Sequence, residues 1–383
     1  MIKTDIAIIG LGITSKLVAL ALASDTRKVT IFGNQSSKIY SSNLVTFFSL
    51  NSLDFLKNIG LENLVNQSTP IKEISCSKLE NFQLNNQFQI NFKDKDNNIE
   101  MGKIIINSDL NFSLDNQIKI NKNIIISNEA KIKNYKDNGI NKILLLENGK
   151  KISISLLIIS DKKSHLIKEN FKNEIIKKDL KQTSIVMNVK VKTNNHAYQF
   201  FTKMGALALL PINDNLASII WSLENNSPVL NYNDKEISDE INKIFKNISD
   251  QIEIINLQKY KLNFEFSKKI ISDSIVLIGD AAHCLHPIAG QGLNLSIKDI
   301  LALKNKIEHF KYLGYSLDSS IILREYEDTR KSDNTIYTFA TNYLDEILKS
   351  RNFLINTISN LGILAIEKNN YLKNMIIKSA TGK

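Results

Sequence analysis

Cysteine is scarce in this chain. There are two in 383 residues, Cys76 and Cys284, far apart and outside any CxxC or Cys/His ligand spacing. That excludes a disulfide framework and a cysteine-based zinc site, and it fits a reducing cytoplasm. Long apolar runs are missing too. No stretch reaches the roughly 18 uninterrupted apolar residues of a membrane span. No block of Lys and Arg carries interleaved aromatics. The net charge of +10, spread over scattered lysines, therefore does not describe a nucleic-acid surface, although it leaves attraction to an anionic membrane open. There is no internal repeat and no long linker. What remains is 43% hydrophobic and 23% charged. That composition buries a full core and excludes wholesale disorder, at a length that suits two domains or one large domain with an insertion.

The N-terminus "MIKTDIAIIGLGITSKLVALALAS" imitates a secretory signal, with an early Lys, an apolar run and Ala21-x-Ala23. Asp5 and Lys16 interrupt it, and Gly10 and Gly12 fall where a signal would continue apolar. It reads instead as a strand over 5–9, a glycine turn and a helix, followed by the strand "KVTIF" over 28–32, which makes a βαβ unit. A helix is expected over 51–65 with Gly60 as its C-cap. From about residue 70 the text alternates in the strand manner, with turns at "KDNG" and "ENGK". "LLIIS" is continuous and apolar, like a strand buried on both faces. Residues 182–223 are strand-rich, helix returns at 234–248, "SIVLIG" is a strand, and 293–383 is mostly helical. The simplest architecture joins the two distant α/β pieces into one nucleotide-binding domain and inserts the strand-rich text as a second.

Two turns carry chemistry. Gly10-x-Gly12-x-x-Ser15 lies between strand and helix, where the first glycine makes a tight turn and the second admits a pyrophosphate at the helix N-terminus. Ser15 stands where a third glycine permits close packing. The following strand ends at Gly33 and Asn34, so the carboxylate expected there for a ribose is absent, and Asn34 offers one neutral hydrogen bond instead. The second turn is "VLIGDAAHCLHPIAGQGLNLSIKD". Its strand delivers Asp280 at the carboxyl edge of a sheet. Two alanines, Pro287, Gly290 and Gly292 then shape a loop that opens a helix at Asn294 and Ser296 with its amides unpaired. Such a turn suits a polyhydroxy, phosphate-bearing or electron-rich ligand.

This second turn resembles, residue for residue from Gly279 to Asn294, the G-D-A-A-H-x-x-x-P-x-x-G-Q-G-x-N of the flavoprotein aromatic hydroxylases, and among them the ubiquinone-biosynthesis group. Ser296 departs from that group's glycine. "MGALALLPI" with "IIWSL", the L-x-x-Y-x-x-x-R-x-x-D of "LREYEDTRKSDN", and the tail near "SATG" resemble the same group, so the likeness covers nearly the whole chain. The resemblance implies an α/β fold: a Rossmann-like FAD-binding domain with an inserted antiparallel β-sheet substrate domain and a helical C-terminus, similar to p-hydroxybenzoate hydroxylase. The expected boundaries are 1–75 plus 100–180 plus 268–330 for FAD, 76–99 plus 181–267 for substrate, and 331–383 for C-terminal helices.

The implied cofactor is FAD, with NAD(P)H as co-substrate and O2 as oxidant, and the implied reaction is hydroxylation of a polyprenylated phenol or quinone precursor. Gly10, Gly12, Ser15, Asn34 and Asp161 are the expected residues of its nucleotide end. Gly279 and Asp280 would serve the ribitol, and Pro287, Gly290, Gln291, Gly292, Leu293 and Asn294 the flavin ring. No metal and no nucleic acid are expected, and the resemblance identifies no catalytic base. A cytoplasmic protein is implied, extended to peripheral attachment at the inner membrane and contact with other quinone-biosynthesis proteins.

The chain departs from the family in the middle motif Asp-Gly-x-x-Ser-x-x-Arg, where "IISDKKSHLIKE" keeps Asp161 but has Lys162 for the glycine and Lys168 for the arginine. Tyr40 stands where an early arginine is usual. Lys is not equivalent to Arg at a bidentate site. The remaining amides and helix termini still supply most of an anion site, so FAD binding is expected to survive. The competing expectation is a degenerate, non-catalytic subunit that binds a prenyl lipid or scaffolds a complex; a third is another flavin oxidoreductase such as a prenyl reductase. His283 and His286 read as structural before acid/base, Cys284 as a small buried residue, and Trp221, Phe200 and Phe201 as core or pocket wall. The amphipathic "NFLINTISNLGILAIEKNNYLKNMIIK" reads as a packed helix pair or a membrane-surface face.

Overall fold

The computed structural model describes residues 2–33, 44–80, 83–93, 100–128, 131–139, 142–202, 204–246, 248–249, 251–284 and 292–349. A six-stranded sheet runs in the order Ile271–Ser272, Ile275–Leu277, Leu156–Ile159, Ile6–Ile9, Val29–Phe32, Ile124–Ser127. All neighbours are parallel except the first pair. Its middle strands are short and β-branched. Ile6, Ala7, Ile8 and all of Leu156–Ile159 have no exposed surface, as expected of a sheet covered on both faces. Helices Ile13–Leu22 and Gly292–Tyr312 pack into the same core through Leu17, Val18, Ile297 and Ile300. Lys16, the charge that breaks the apparent signal, is buried within the first helix. It survives there because Asp115 lies at 2.5 Å and Asn111 Oδ1 accepts at 2.7 Å.

The helix expected over 51–65 is two helices, Leu50–Asn58 and Glu62–Gln67. Gly60 sits between them at φ +88 and its carbonyl accepts from Gln117 Nε2 at 2.8 Å. The left-handed residue ends the first helix, and the chain restarts instead of continuing. The "KDNG" and "ENGK" turns join Ile132–Asp137, Lys142–Leu146 and Lys151–Ile154 into an antiparallel ribbon, as the alternation predicts.

The second large sheet has eight strands: His283–Cys284, Glu253–Ser267, Ile175–Lys190, Leu216–Glu224, Gly205–Asn213, His196–Thr202, Glu73–Glu80, Gln83–Lys93. The strand that the sequence begins near residue 182 starts at Ile175. Its ladder is interrupted between Asp179 and Gln182, with Lys181 at φ 51. One face carries Trp221, Phe200, Ile185 and Met187 under helix Asp234–Phe245, which opens on a capping box of Asn233 and Glu236. The two-residue period sends alternate residues to the other face. Ala197 and Leu210 there meet Val45, Phe47, Ile71 and Ile104 of a three-stranded sheet. Phe200 is therefore core, while Phe201 lies on the opposite face.

The chain ends its described course in helices Gly292–Tyr312 and Ser320–Lys349. The amphipathic stretch read beyond residue 351 lies outside the described residues. No described helix is long and apolar enough to cross a membrane.

Candidate cofactor site

Three neighbouring parallel strands, Ile275–Leu277, Leu156–Ile159 and Ile6–Ile9, end at one edge. Their continuations are Ile278–Asp280, Ser160–Lys162 and Gly10–Gly12, so residues some 270 positions apart come together because their strands are adjacent. Gly10 turns at φ +117. A Cβ there would meet Ser15 Oγ and Ser160 Oγ at 3.0 Å, and Asp161 Cβ at 3.2 Å. Gly12 is different. It N-caps helix Ile13–Leu22 in ordinary extended backbone, and a Cβ on it would meet nothing within 4 Å. Open space in front of a helix N-terminus is what a pyrophosphate needs.

Ser15, in the place of the third glycine, is buried and shares a 2.5 Å hydrogen bond with Ser160 Oγ, which also donates to the Ile9 carbonyl at 3.2 Å. The added hydroxyl is absorbed by a partner on the next strand and does not face a ligand. Gly33 has a steric reason as well. A Cβ there would come to 3.0 Å from the Gly10 and Leu11 backbone, so a side chain at this strand end would need the glycine loop to shift by a few tenths of an ångström. Beside these turns lies a cavity of about 660 Å³ lined by Gly10, Gly33 and Asp161, with Lys131, Lys133 and Lys163 on its walls. That is room and charge for the ribose-phosphate end of a nucleotide.

The Asp280 turn is held from behind. Gly279 sits at φ +63, where a Cβ would strike Ser296 Oγ at 2.8 Å and Thr14 Cγ2 at 2.9 Å. Its amide donates to Asp299 Oδ2 at 3.2 Å, and the same oxygen takes His283 Nε2 at 2.6 Å. Arg330 Nε donates to Asp299 Oδ1 at 2.8 Å, and Arg330 also reaches Asp333 and Asn334. Tyr326 donates to the Leu277 carbonyl at 3.3 Å. The L-x-x-Y-x-x-x-R-x-x-D pattern is thus the outer half of a clamp on the Asp280 turn. Burial alone would raise the Asp299 carboxyl, but His283 and Arg330 outweigh it and hold it below the usual range. Asp299, which lies 16 residues beyond His283, belongs to no motif of the sequence. His283 is structural, as expected, although its partner is a carboxylate and not backbone.

Of the other expected residues, Asp161 lines the cavity, its Oδ1 accepting from the Lys163 amide at 2.9 Å. Asp280 is exposed at the end of its strand, and Gly292 and Leu293 open the helix beside it. Asn294 is buried with its side chain spent on another task. Its Nδ2 donates to the Phe47 carbonyl at 2.6 Å and its Oδ1 accepts from the Ser49 amide at 3.0 Å, tying this helix to strand Val45–Ser49. Asn34, Tyr40, His286, Pro287, Gly290 and Gln291 lie outside the described residues. Cys284 is half-buried, not sealed in the core, and accepts a hydrogen bond from Lys162 Nζ at 3.1 Å. No metal-ligating cluster occurs among the described residues.

Residues 3–332 match the FAD binding domain family. The chain is 23% identical to the ubiquinone biosynthesis monooxygenase COQ6, mitochondrial, of Dictyostelium discoideum, covering 99% of this chain and 91% of that one. It is 28% identical to the 3-demethoxyubiquinol 3-hydroxylase of Escherichia coli K12 over 52% of each. In three dimensions it is similar to p-nitrophenol 4-monooxygenase from Pseudomonas putida, with a TM-score of 0.77 at 14% identity, covering 99% and 98% of the two chains. It is also similar to Klebsiella pneumoniae HpxO solved with FAD and uric acid, with a TM-score of 0.73 at 13% identity, covering 99% and 96%. At those identities the structural likeness bears on the fold, and it agrees with the expected FAD-binding domain and inserted sheet, which is antiparallel except where His196–Thr202 runs parallel to Glu73–Glu80.

Proposed function

The chain belongs to the FAD binding domain family, and from that membership we propose that it is an FAD-dependent monooxygenase. It hydroxylates the aromatic ring of a polyprenylated phenol in ubiquinone biosynthesis, with NAD(P)H and O2 as co-substrates. The observation that carries this is the meeting of the Gly10–Gly12 loop and the Asp280 turn at one sheet edge, in a chain whose ubiquinone-hydroxylase relatives match it nearly end to end.

The residues present fit the cofactor. The open face of Gly12 and the amides of helix Ile13–Leu22 would receive the pyrophosphate. Asp161 and the adjoining cavity would take the nucleotide end. The Asp280 carboxylate would accept from polyol hydroxyls, and the helix that starts at Gly292 offers unpaired amides to the electron-rich end. When bound, FAD would supply the redox chemistry, linking NAD(P)H oxidation to the use of O2. The chain supplies orientation and exclusion of water. Asn294 ties the helix at the flavin end to strand Val45–Ser49. Phe47 of that strand packs on the sheet face that carries Leu210. Phe201, Ala206 and Ala208 share that face by alternation. We assign this face as the wall for the phenol ring, dry enough to strengthen the electrostatics inside.

The test is direct. The purified protein is expected to be yellow and to release FAD on denaturation. A deletion strain is expected to accumulate a prenylated precursor lacking one hydroxyl. A colourless protein that cannot be reconstituted with FAD ends the reading. The competing non-catalytic subunit draws its support from the altered residues at 15, 33, 40 and 162. It requires that Asp280→Ala leave cellular quinone unchanged, whereas the enzyme reading requires its loss. The reading extends to docking on an anionic membrane. The prenyl chain of the substrate class and the net charge of +10 support this extension. Co-sedimentation with anionic but not neutral vesicles tests it.

A further inference from the structure

Lys162 has no task in the scheme above. It follows Asp161 at the end of the middle of the three parallel strands, between the glycine loop and the Asp280 turn. Its ammonium is half-buried, and among the described residues its one hydrogen bond goes to Cys284 Sγ at 3.1 Å. Burial, with Asp280 adding to it, pushes the Cys284 thiol up, so near neutral pH the sulfur is protonated. A neutral sulfur is a weak acceptor, and an ammonium brings three donors. No carboxylate of the described residues lies within ion-pair distance of it. Burial pulls its pKa down, but the Cys284 contact and the longer-range charges of Asp280 and Glu265 more than offset this, so it stays charged. With one donor on a weak acceptor, the ammonium keeps two donors to spare for a further one.

The surroundings say which acceptor fits. Gly10 lies against Asp161 and Gly279 lies against Thr14, so the three turns bracket the N-terminus of helix Ile13–Leu22. The two arginine positions of the family pattern hold Tyr40 and Lys168 in this sequence, and Lys131, Lys133 and Lys163 line the adjoining cavity. We propose that Lys162 is a phosphate-binding residue, its ammonium donating to a phosphate oxygen of a dinucleotide bound at this edge. The assignment rests on the flavoprotein reading. The phosphate has two possible sources, the pyrophosphate of FAD and that of the nicotinamide reductant. Both present the same chemistry to Lys162.

The experiment compares wild type, Lys162→Gln, Lys162→Arg and Cys284→Ala. Apoprotein is titrated with FAD and with riboflavin, which has no phosphate. Holoenzyme is titrated with NADH without oxygen, following flavin reduction. Losing one charge-assisted bond is expected to weaken FAD or NADH binding about tenfold in Lys162→Gln, and to reduce the salt dependence of that binding. Riboflavin affinity should stay the same, and Lys162→Arg and Cys284→Ala should remain near wild type. A loss confined to FAD assigns the flavin's pyrophosphate, and a loss confined to NADH assigns the reductant's. Unchanged FAD and NADH affinity in Lys162→Gln overturns the assignment, as does an equal loss for riboflavin or the same loss in Cys284→Ala. A wild-type protein that binds no FAD overturns the flavoprotein reading itself, before any variant is made, and Lys162's role with it.

Discussion

The two ends of the candidate cofactor site keep their shape by different means. At the Asp280 end the motif is intact, and the turn is braced by a buried network of Asp299, His283 and Arg330. At the glycine-loop end the motif is altered, and short-range contacts do the bracing: Ser15 against Ser160, and the Gly10 amide donating to the Phe32 carbonyl at 2.8 Å. One end depends on charge fixed from a distant helix, the other on steric fit and a single hydroxyl pair. A departure from a family pattern is therefore not by itself a lost contact. What matters is whether the new atom finds a partner.

If that contrast is right, the two ends should break at different cost. The largest effect belongs to Asp299→Ala, which leaves Arg330 buried without its main partner and is expected to cost about 3–5 kcal/mol in urea unfolding, with loss of bound FAD. The contribution also has a pH signature. The Asp299 carboxyl is held below its ordinary value in the folded chain. Its stabilisation is thus fully present above about pH 4, the unfolded carboxylate's own range, and lost as pH falls through the lowered folded value. Unfolding measured from pH 7 downward should show a steeper acid decline in wild type than in Asp299→Asn. Equal slopes would mean that the network contributes shape and not charge.

Next comes Gly10→Ala. The backbone at φ +117 and the two hydroxyls at 3.0 Å oppose any side chain. A loss of about 1–3 kcal/mol is expected, read from the same unfolding curves. A smaller loss would show that the Ser15–Ser160 pair can move aside, and that the glycine-loop end is softer than its geometry implies.

How much of this was legible in the sequence follows the same division. The Asp280 turn was readable because its residues are contiguous and strand, turn and helix each carry their own pattern. The βαβ start, the ribbon turns at "KDNG" and "ENGK", and the inserted sheet were readable from apolar period and turn residues. Asp299 and Ser160 were not, because each acquires its role from a partner on another strand or helix. Arg330 and Tyr326 were visible as a pattern but had no task until the last helix was seen to lie behind the turn. Gly33 reads in sequence as a missing carboxylate, and its tight approach to the glycine loop shows only once the loop is packed.

Ser160→Ala is smaller. It removes the partner of a buried hydroxyl and leaves Ser15 Oγ unsatisfied, at about 1–2 kcal/mol. Ser15→Gly in the same background should recover most of that loss by removing the stranded hydroxyl. Failure to recover would show that the pair acts through Ser160's bond to the Ile9 carbonyl, not through the hydroxyl pair itself.

The smallest cost to the fold is expected at Gly12→Ala, and that makes it the sharpest test of what the glycine-loop end is for. The residue has φ −81 and ψ 179, which alanine adopts freely, and its Cβ would meet no protein atom within 4 Å. Alanine is the poorer N-cap, but it also reduces the freedom of the unfolded chain, so unfolding free energy should change by no more than about 0.5 kcal/mol. The new methyl group would nevertheless stand in the space in front of the helix N-terminus, where the pyrophosphate must approach the amides. FAD affinity should fall about tenfold or more, measured by titrating the apoprotein. Stability and binding would then separate at one position, whereas at Asp299 they fall together. If Gly12→Ala binds FAD as wild type does, the open face of the loop is not the cofactor's seat, and the contrast between the two ends loses its functional meaning.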